Sequence, residues 1–136
     1  MNNSIGAFYH CLLPFLFYML AAFSSQDALA QEKSPYVRVA SIVVDSARLD
    51  SFRAAIKEGI ETAVRTEPGV LSLYAVYDKN NPAHVTVFEI YASEQAYRLH
   101  IQTAHFTRYK AAVQDMVKSL VLTDVIPIAL EAKSNR

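Results

Sequence analysis

The chain has 136 residues, enough for one domain, and its 13 Lys and Arg are balanced by 13 Asp and Glu. A neutral chain without basic clusters is not built to hold nucleic acid, whose phosphates demand concentrated positive charge. One cysteine and three glycines rule out disulfide staples, thiolate metal clusters and a glycine-rich phosphate loop.

The first thirty residues differ in kind from the rest. Cys11 to Phe23 is an apolar run of thirteen residues, short of the roughly 20 needed to span a bilayer. Ala28-Leu29-Ala30 then offers the small residues at alternate positions that a signal peptidase accepts. The expectation is a cleaved secretory signal over residues 1–30 and a periplasmic or secreted mature protein, not membrane-bound after cleavage. An uncleaved anchor is the alternative, since no Lys or Arg precedes the apolar run. Removing 1–30 takes away Asp27 and no Lys or Arg, leaving 106 residues with a formal charge of +1 and no cysteine. The absence of thiols suits an oxidising compartment.

Residues 31–35 form a polar lead-in to a domain over 36–131, and 132–136 form a polar tail. Tyr36 to Val44, rich in β-branched residues, reads as a first strand. Asp45 or Ser46 can cap the helix that follows, in which Leu49, Phe52, Ile56, Ile60 and Ala63 recur at three- and four-residue steps. Glu67-Pro68-Gly69 ends that helix. Val70 to Asp78 and His84 to Tyr91 alternate as two strands of a hairpin, joined by the turn cluster Asp78–Pro82. Ser93 can cap a short helix through Ile101. Thr103 can cap a second, in which Phe106, Tyr109, Val113, Met116 and Leu120 repeat. Leu122 to Leu130 reads as a last strand, with Pro127 at an edge or bulge.

The order is β-α-β-β-α-β with a split second helix, the ferredoxin-like α+β arrangement. Two helices cover one side of a four-stranded sheet, yet the first three strands are apolar on both faces. Pairing the open face with a second copy across a two-fold axis removes that exposure, so a homodimer is expected.

Few polar groups are placed to do chemistry. His100 and His105 lie about 140° apart on an uninterrupted helix, but a break at Gln102-Thr103 lets both point inward. Their spacing is not that of a metal site, and His84 at a loop edge is the only other histidine of the mature chain, so no metal is expected. His105 reads equally as a helix-start residue bonded to backbone or as a general base, since imidazole titrates near neutrality. Glu89 shares a sheet face with Val85, Val87 and Tyr91, where a carboxylate requires a partner; a structural role is favoured. Tyr74, Tyr77, Tyr91, Tyr97 and Tyr109, with Phe88 and Phe106, supply core area or line a slot for a flat aromatic ligand.

Glu67-Pro68-Gly69-Val70-Leu71 with Tyr74, Phe88-Glu89-Ile90-Tyr91 followed by Ser93-Glu94-Gln95-Ala96, and His100, Thr103 and His105-Phe106 together resemble the antibiotic biosynthesis monooxygenase family, in particular its quinol-monooxygenase-like members. The resemblance implies a dimeric α+β barrel. It also implies cofactor-independent oxygenation of a small aromatic substrate, a quinol or related hydroxyaromatic, with dioxygen. On that reading His105 is the base or proton shuttle and His100 assists. Tyr74 or Tyr109 orients the substrate beside Phe106, and Glu89 positions a partner. The haem-degrading branch carries an Asn, a Trp and a later His where this chain has Ser41 or Asp45, His100 and Lys110, which argues against haem degradation. A non-catalytic dimeric binding module and an isomerase of a small carbonyl compound are the competing readings, because fold alone does not fix activity.

Overall fold

The computed structural model describes residues 34–133; the expected signal segment 1–30 and most of the polar tail lie outside them. Four strands, β1 (Tyr36–Val44), β2 (Val70–Tyr77), β3 (His84–Tyr91) and β4 (Val117–Val125), form one sheet in the order β2-β3-β1-β4. Every neighbouring pair is antiparallel. The helices are α1 (Leu49–Thr66), α2 (Glu94–His100) and α3 (Ala104–Val113). This is the ferredoxin-like order expected, with the second helix in two pieces. Among the described residues, no helix is long and apolar enough to cross a membrane.

Register assigns the faces. Arg38 lies opposite Glu89 on β3 and Asp124 on β4, while Ala40 lies opposite Val87 and Leu122. Leu73 of β2 lies opposite Glu89. Directly opposed residues share a face, so all of these point to one side. The core shows that this is the helix side: Ala40, Ile42, Val44, Val85 and Val87 pack with Phe52 and Ile56 of α1, Val113 of α3 and Met116. A smaller cluster of Ala63, Val70 and Tyr91 sits toward the other end.

Two boundaries differ from the sequence reading. Asp45 caps not α1 itself but a 3-10 turn, Ser46–Arg48, accepting from the Ala47 N–H at 3.0 Å. At the other end, α3 stops at Val113, and the last strand is Val117–Val125 instead of Leu122–Leu130. Met116 and Leu120 continue the helical spacing, but β1 offers nine residues of unpaired edge, and β4 pairs with it from Val44↔Val117 to Val37↔Val125. Backbone pairing along the strand outweighs the apolar period there. Pro127 has no N–H to donate and falls just past the strand, outside the ladder.

Candidate active site

Glu67 is the C-cap of α1, with its N–H bonded to Ala63 O at 2.9 Å. Pro68 and Gly69 then reverse the chain into β2. Gly69 is required by close approach: a Cβ there would stand 2.6 Å from Ala96 Cβ in the first turn of α2. That contact fixes the start of α2 against the turn holding Glu67. The Ser93 side chain caps α2 by accepting from Ala96 N at 3.1 Å.

The break between α2 and α3 is made by Thr103. Its Oγ1 accepts from Phe106 N, capping α3, and donates to His100 O at 2.8 Å, tying off the end of α2. His100 and His105 thereby face the same space from the two arms of the bend, with ring centroids 6.2 Å apart. Both imidazoles meet one carboxylate oxygen. His100 Nδ1 lies 2.8 Å, and His105 Nε2 2.6 Å, from Glu67 Oε1. All three side chains are largely buried, at 8%, 17% and 14% exposure. The His100 ring packs edge-on against Phe106 at 4.8 Å and lies 5.6 Å from Tyr91.

Both imidazoles line an apolar cavity of about 130 Å³ between sheet and helices. Ala40, Ile42 and Val87 form part of its floor, and Ile56, Gly59 and Ile60 of α1 form part of its roof. Of the residues singled out from sequence, His100, His105, Glu89, Phe106 and Tyr109 reach this cavity. Tyr74 does not. It sits opposite Phe88, on the sheet face turned away from the helices, 62% exposed, beside a separate hollow along the β2 edge. Its odd place in the alternation of β2 decides this, because Leu73 and Ala75 take the inner positions.

Glu89, the inward carboxylate that required a partner, holds neither histidine: the Tyr91 hydroxyl donates to its Oε2 at 3.0 Å. Burial raises the Glu89 carboxyl above its ordinary value of 4.5, against the opposing pull of the Tyr91 hydrogen bond and the Arg38 charge. Burial also pushes the Tyr109 phenol up to about 12, so Tyr109 presents a hydroxyl donor, not a base. Tyr91 is driven up further by burial and by Glu89.

Sequence reasoning missed Glu67 and Arg38 as site residues. Glu67 was legible only as a helix stop. The available signal was a carboxylate held before a Pro-Gly reversal, in a chain with two unpartnered imidazoles. Arg38 lines the cavity with Nε and Nη2 both 2.7 Å from Asp124 Oδ1, and its guanidinium lies 4.3 Å from the centre of the Tyr97 ring.

The discount on a metal rested on a shortage of ligands, and Glu67 changes that count. Donor atoms of Glu67, His100 and His105 lie within 4.8 Å of one another. A first-row ion holds nitrogen and oxygen ligands at roughly 2.0–2.2 Å, which spaces tetrahedral donors about 3.4 Å apart. The observed 2.6 and 2.8 Å are instead charge-assisted hydrogen bonds. An ion would enter only by displacing both ring protons from Glu67.

Helices on one face of a split-βαβ sheet, with an apolar cavity and paired imidazoles between the layers, define a ferredoxin-like α+β domain with a small-molecule pocket. A family model described as antibiotic biosynthesis monooxygenase matches residues 35–112. A solved structure from Bacteroides thetaiotaomicron, provisionally named an antibiotic biosynthesis monooxygenase, is 46% identical with a TM-score of 0.72, covering 76% of this chain and 99% of its own. A provisionally named monooxygenase from Lactobacillus acidophilus is 28% identical with a TM-score of 0.68, over 71% of this chain and 46% of its own. A Nitrosomonas europaea structure, 20% identical with a TM-score of 0.65 over 69% of this chain and 99% of its own, supports the fold alone. No curated protein matches the chain. The chain belongs to the antibiotic biosynthesis monooxygenase family, whose proteins act on small molecules, often as dimers.

Proposed function

We propose that the chain is an exported, homodimeric, cofactor-independent monooxygenase acting on a single-ring quinol or related hydroxyaromatic, with dioxygen as co-substrate. The observation that carries this reading is the pair of carboxylate-held imidazoles in the wall of an apolar cavity. Volume supports one ring: about 130 Å³ compares with the roughly 150 Å³ of an apolar cavity that holds benzene.

The chemistry needs a base, a hydroxyl donor and exclusion of water. His105 takes the substrate O–H proton. The resulting anion gives one electron to dioxygen, and recombination of the two radicals forms a carbon–oxygen bond to a ring carbon that bears hydrogen. Imidazolium returns its proton to the peroxide. Loss of the ring C–H proton then expels hydroxide as the O–O bond breaks and a ring carbonyl forms. The hydroxide leaves as water after taking a proton. One oxygen atom ends on the ring and the other in water, so a quinol gives a hydroxylated quinone. Tyr109, which keeps its proton, donates to the substrate oxygen, and Phe106 supports the ring.

The test is oxygen uptake by the mature protein over a panel of single-ring quinols, with His105→Ala beside it. We expect a drop of about 100-fold in kcat for the variant, the usual scale for losing a general base. Equal rates in both proteins, at the uncatalysed background, defeat the proposal. Turnover without oxygen would select an isomerase, and tight binding without turnover a sequestering module.

A further inference from the structure

We infer that Glu67 is the positioning residue of a two-base site: it fixes His100 and His105 in opposite tautomers, so that each turns a bare ring nitrogen toward accessible space. The tautomers follow from the partners. An ionised carboxylate only accepts, so the nitrogens facing Glu67 Oε1, His100 Nδ1 at 2.8 Å and His105 Nε2 at 2.6 Å, carry the protons. Thr103 gives independent support for His105. Its hydroxyl proton is committed to His100 O at 2.8 Å, so toward His105 Nε2, at 3.2 Å, it accepts.

The outer nitrogens, His100 Nε2 and His105 Nδ1, are then lone-pair acceptors. Neither has a hydrogen-bond partner among the described residues. Neither is sealed from solvent-sized space, since the one side-chain polar atom there that is both sealed and unpartnered is Arg53 Nε. Both residues line the cavity. The array therefore offers two proton acceptors to the same pocket.

Charge explains the shared carboxylate. With both rings neutral the array carries the single negative charge of Glu67. One proton taken from a substrate leaves it neutral, which a buried site favours over creating a new charge. Resting on the oxygenase reading, the reaction removes a proton twice, from oxygen and later from ring carbon. It hands each one on before the next is taken: the first to the peroxide, the second to the departing hydroxide. Two bare nitrogens at different positions serve two atoms of one ring, and the array is never asked to hold two protons. His105 Nδ1 receives the O–H proton and His100 Nε2 the C–H proton.

The test begins without substrate. Nitrogen-15 NMR of histidine-labelled protein is expected to show His100 as the Nδ1–H tautomer, the minor form of free histidine, and His105 as Nε2–H. In Glu67→Gln both rings still face one terminal atom, so the two histidines keep their tautomers together where it is the carbonyl oxygen and reverse together where it is the amide nitrogen. In Glu67→Ala the preference of His100 is lost. On a quinol that turns over, both variants lower kcat by about 10–100-fold, with KM changing less than about 2-fold. A residue that merely braced the fold would lower Tm and leave the His100 tautomer preference intact in Glu67→Ala. Native His100 as Nε2–H overturns the inference. So do tautomers and kcat unchanged in both variants, or one equivalent of divalent ion retained by the purified protein. Native tautomers as stated with no oxygen uptake on any quinol defeat the oxygenase reading and leave the array standing.

Discussion

At the scale of single residues, two carboxylates in or behind one cavity wall are held in opposite ways. Glu67 receives two N–H donors, whereas Glu89 receives one hydroxyl and is otherwise desolvated, so burial raises its carboxyl. A raised value means that the folded state binds the proton more tightly than the unfolded chain. The contribution of Glu89 to stability therefore falls as pH rises from about 4.5 through its folded-state value. Glu89→Gln keeps the shape and an acceptor for Tyr91 while removing the ionisation. We expect its Tm to match wild type at the acid end of that window and to exceed it increasingly as pH rises. A Tm difference that is flat with pH would show that Glu89 is not desolvated. Alternation along β3 made Glu89 legible in the sequence as an inward carboxylate. Its partner was not legible, because a tyrosine two positions along the same strand competes with any histidine, and side-chain reach settles the matter. Glu67 was hidden for the converse reason. Its 33- and 38-residue separations from His100 and His105 are closed only by the folded chain.

At the scale of elements, the site depends on three chain reversals, and most of these were legible. Ser93 and Thr103 were readable as caps because each places a hydroxyl oxygen before a run of helix formers, and both act as caps. What the sequence could not carry was the approach of the Pro68-Gly69 turn to α2, since it depends on how two non-adjacent elements dock. Gly69→Ala tests that approach. The added methyl would stand 2.6 Å from Ala96 Cβ, which the helix can relieve only by moving away and carrying His100 with it. We expect a loss of about 1–3 kcal/mol, the range for overpacking, read by denaturant unfolding, with a fall in kcat on any turned-over quinol. A change below about 0.5 kcal/mol would mean that α2 has slack. The same competition between elements explains β4. Helical spacing through Leu120 was a real signal, but a nine-residue open edge on β1 took those residues first.

At the scale of the whole molecule, the helices leave one sheet face without cover. On that face Tyr74 and Val76 of β2 and Val121 of β4 are 62%, 62% and 56% exposed, with Val39, Phe88 and Ile90 between them by register. An apolar area running from β2 to β4 is unusual for a monomer. A second copy is the occupant that matches it, because a two-fold axis sets the same face against itself without a complementary partner. The alternation that turns Val39, Phe88 and Val121 outward turns Ala40, Val87 and Leu122 to the helix side, where Ala40 and Val87 floor the pocket, so a contact through the outer face does not compete with it. We expect the mature protein to sediment at twice the mass of one chain. Val121→Glu, which puts a charge opposite Ser41 near the middle of the face, should shift it to monomer at micromolar concentration. Burying that unpaired carboxylate in an interface costs several kcal/mol per copy, which outweighs what one valine contributes there. A monomeric wild type, or a Val121→Glu protein that still sediments as a dimer, would mean that the outer face is not where two copies meet. Cavity size would then be a property of the single chain alone. If instead the dimer forms through this face, each pocket stays within its own protomer, and the two sites should titrate with a quinol analogue independently, at one ligand per chain.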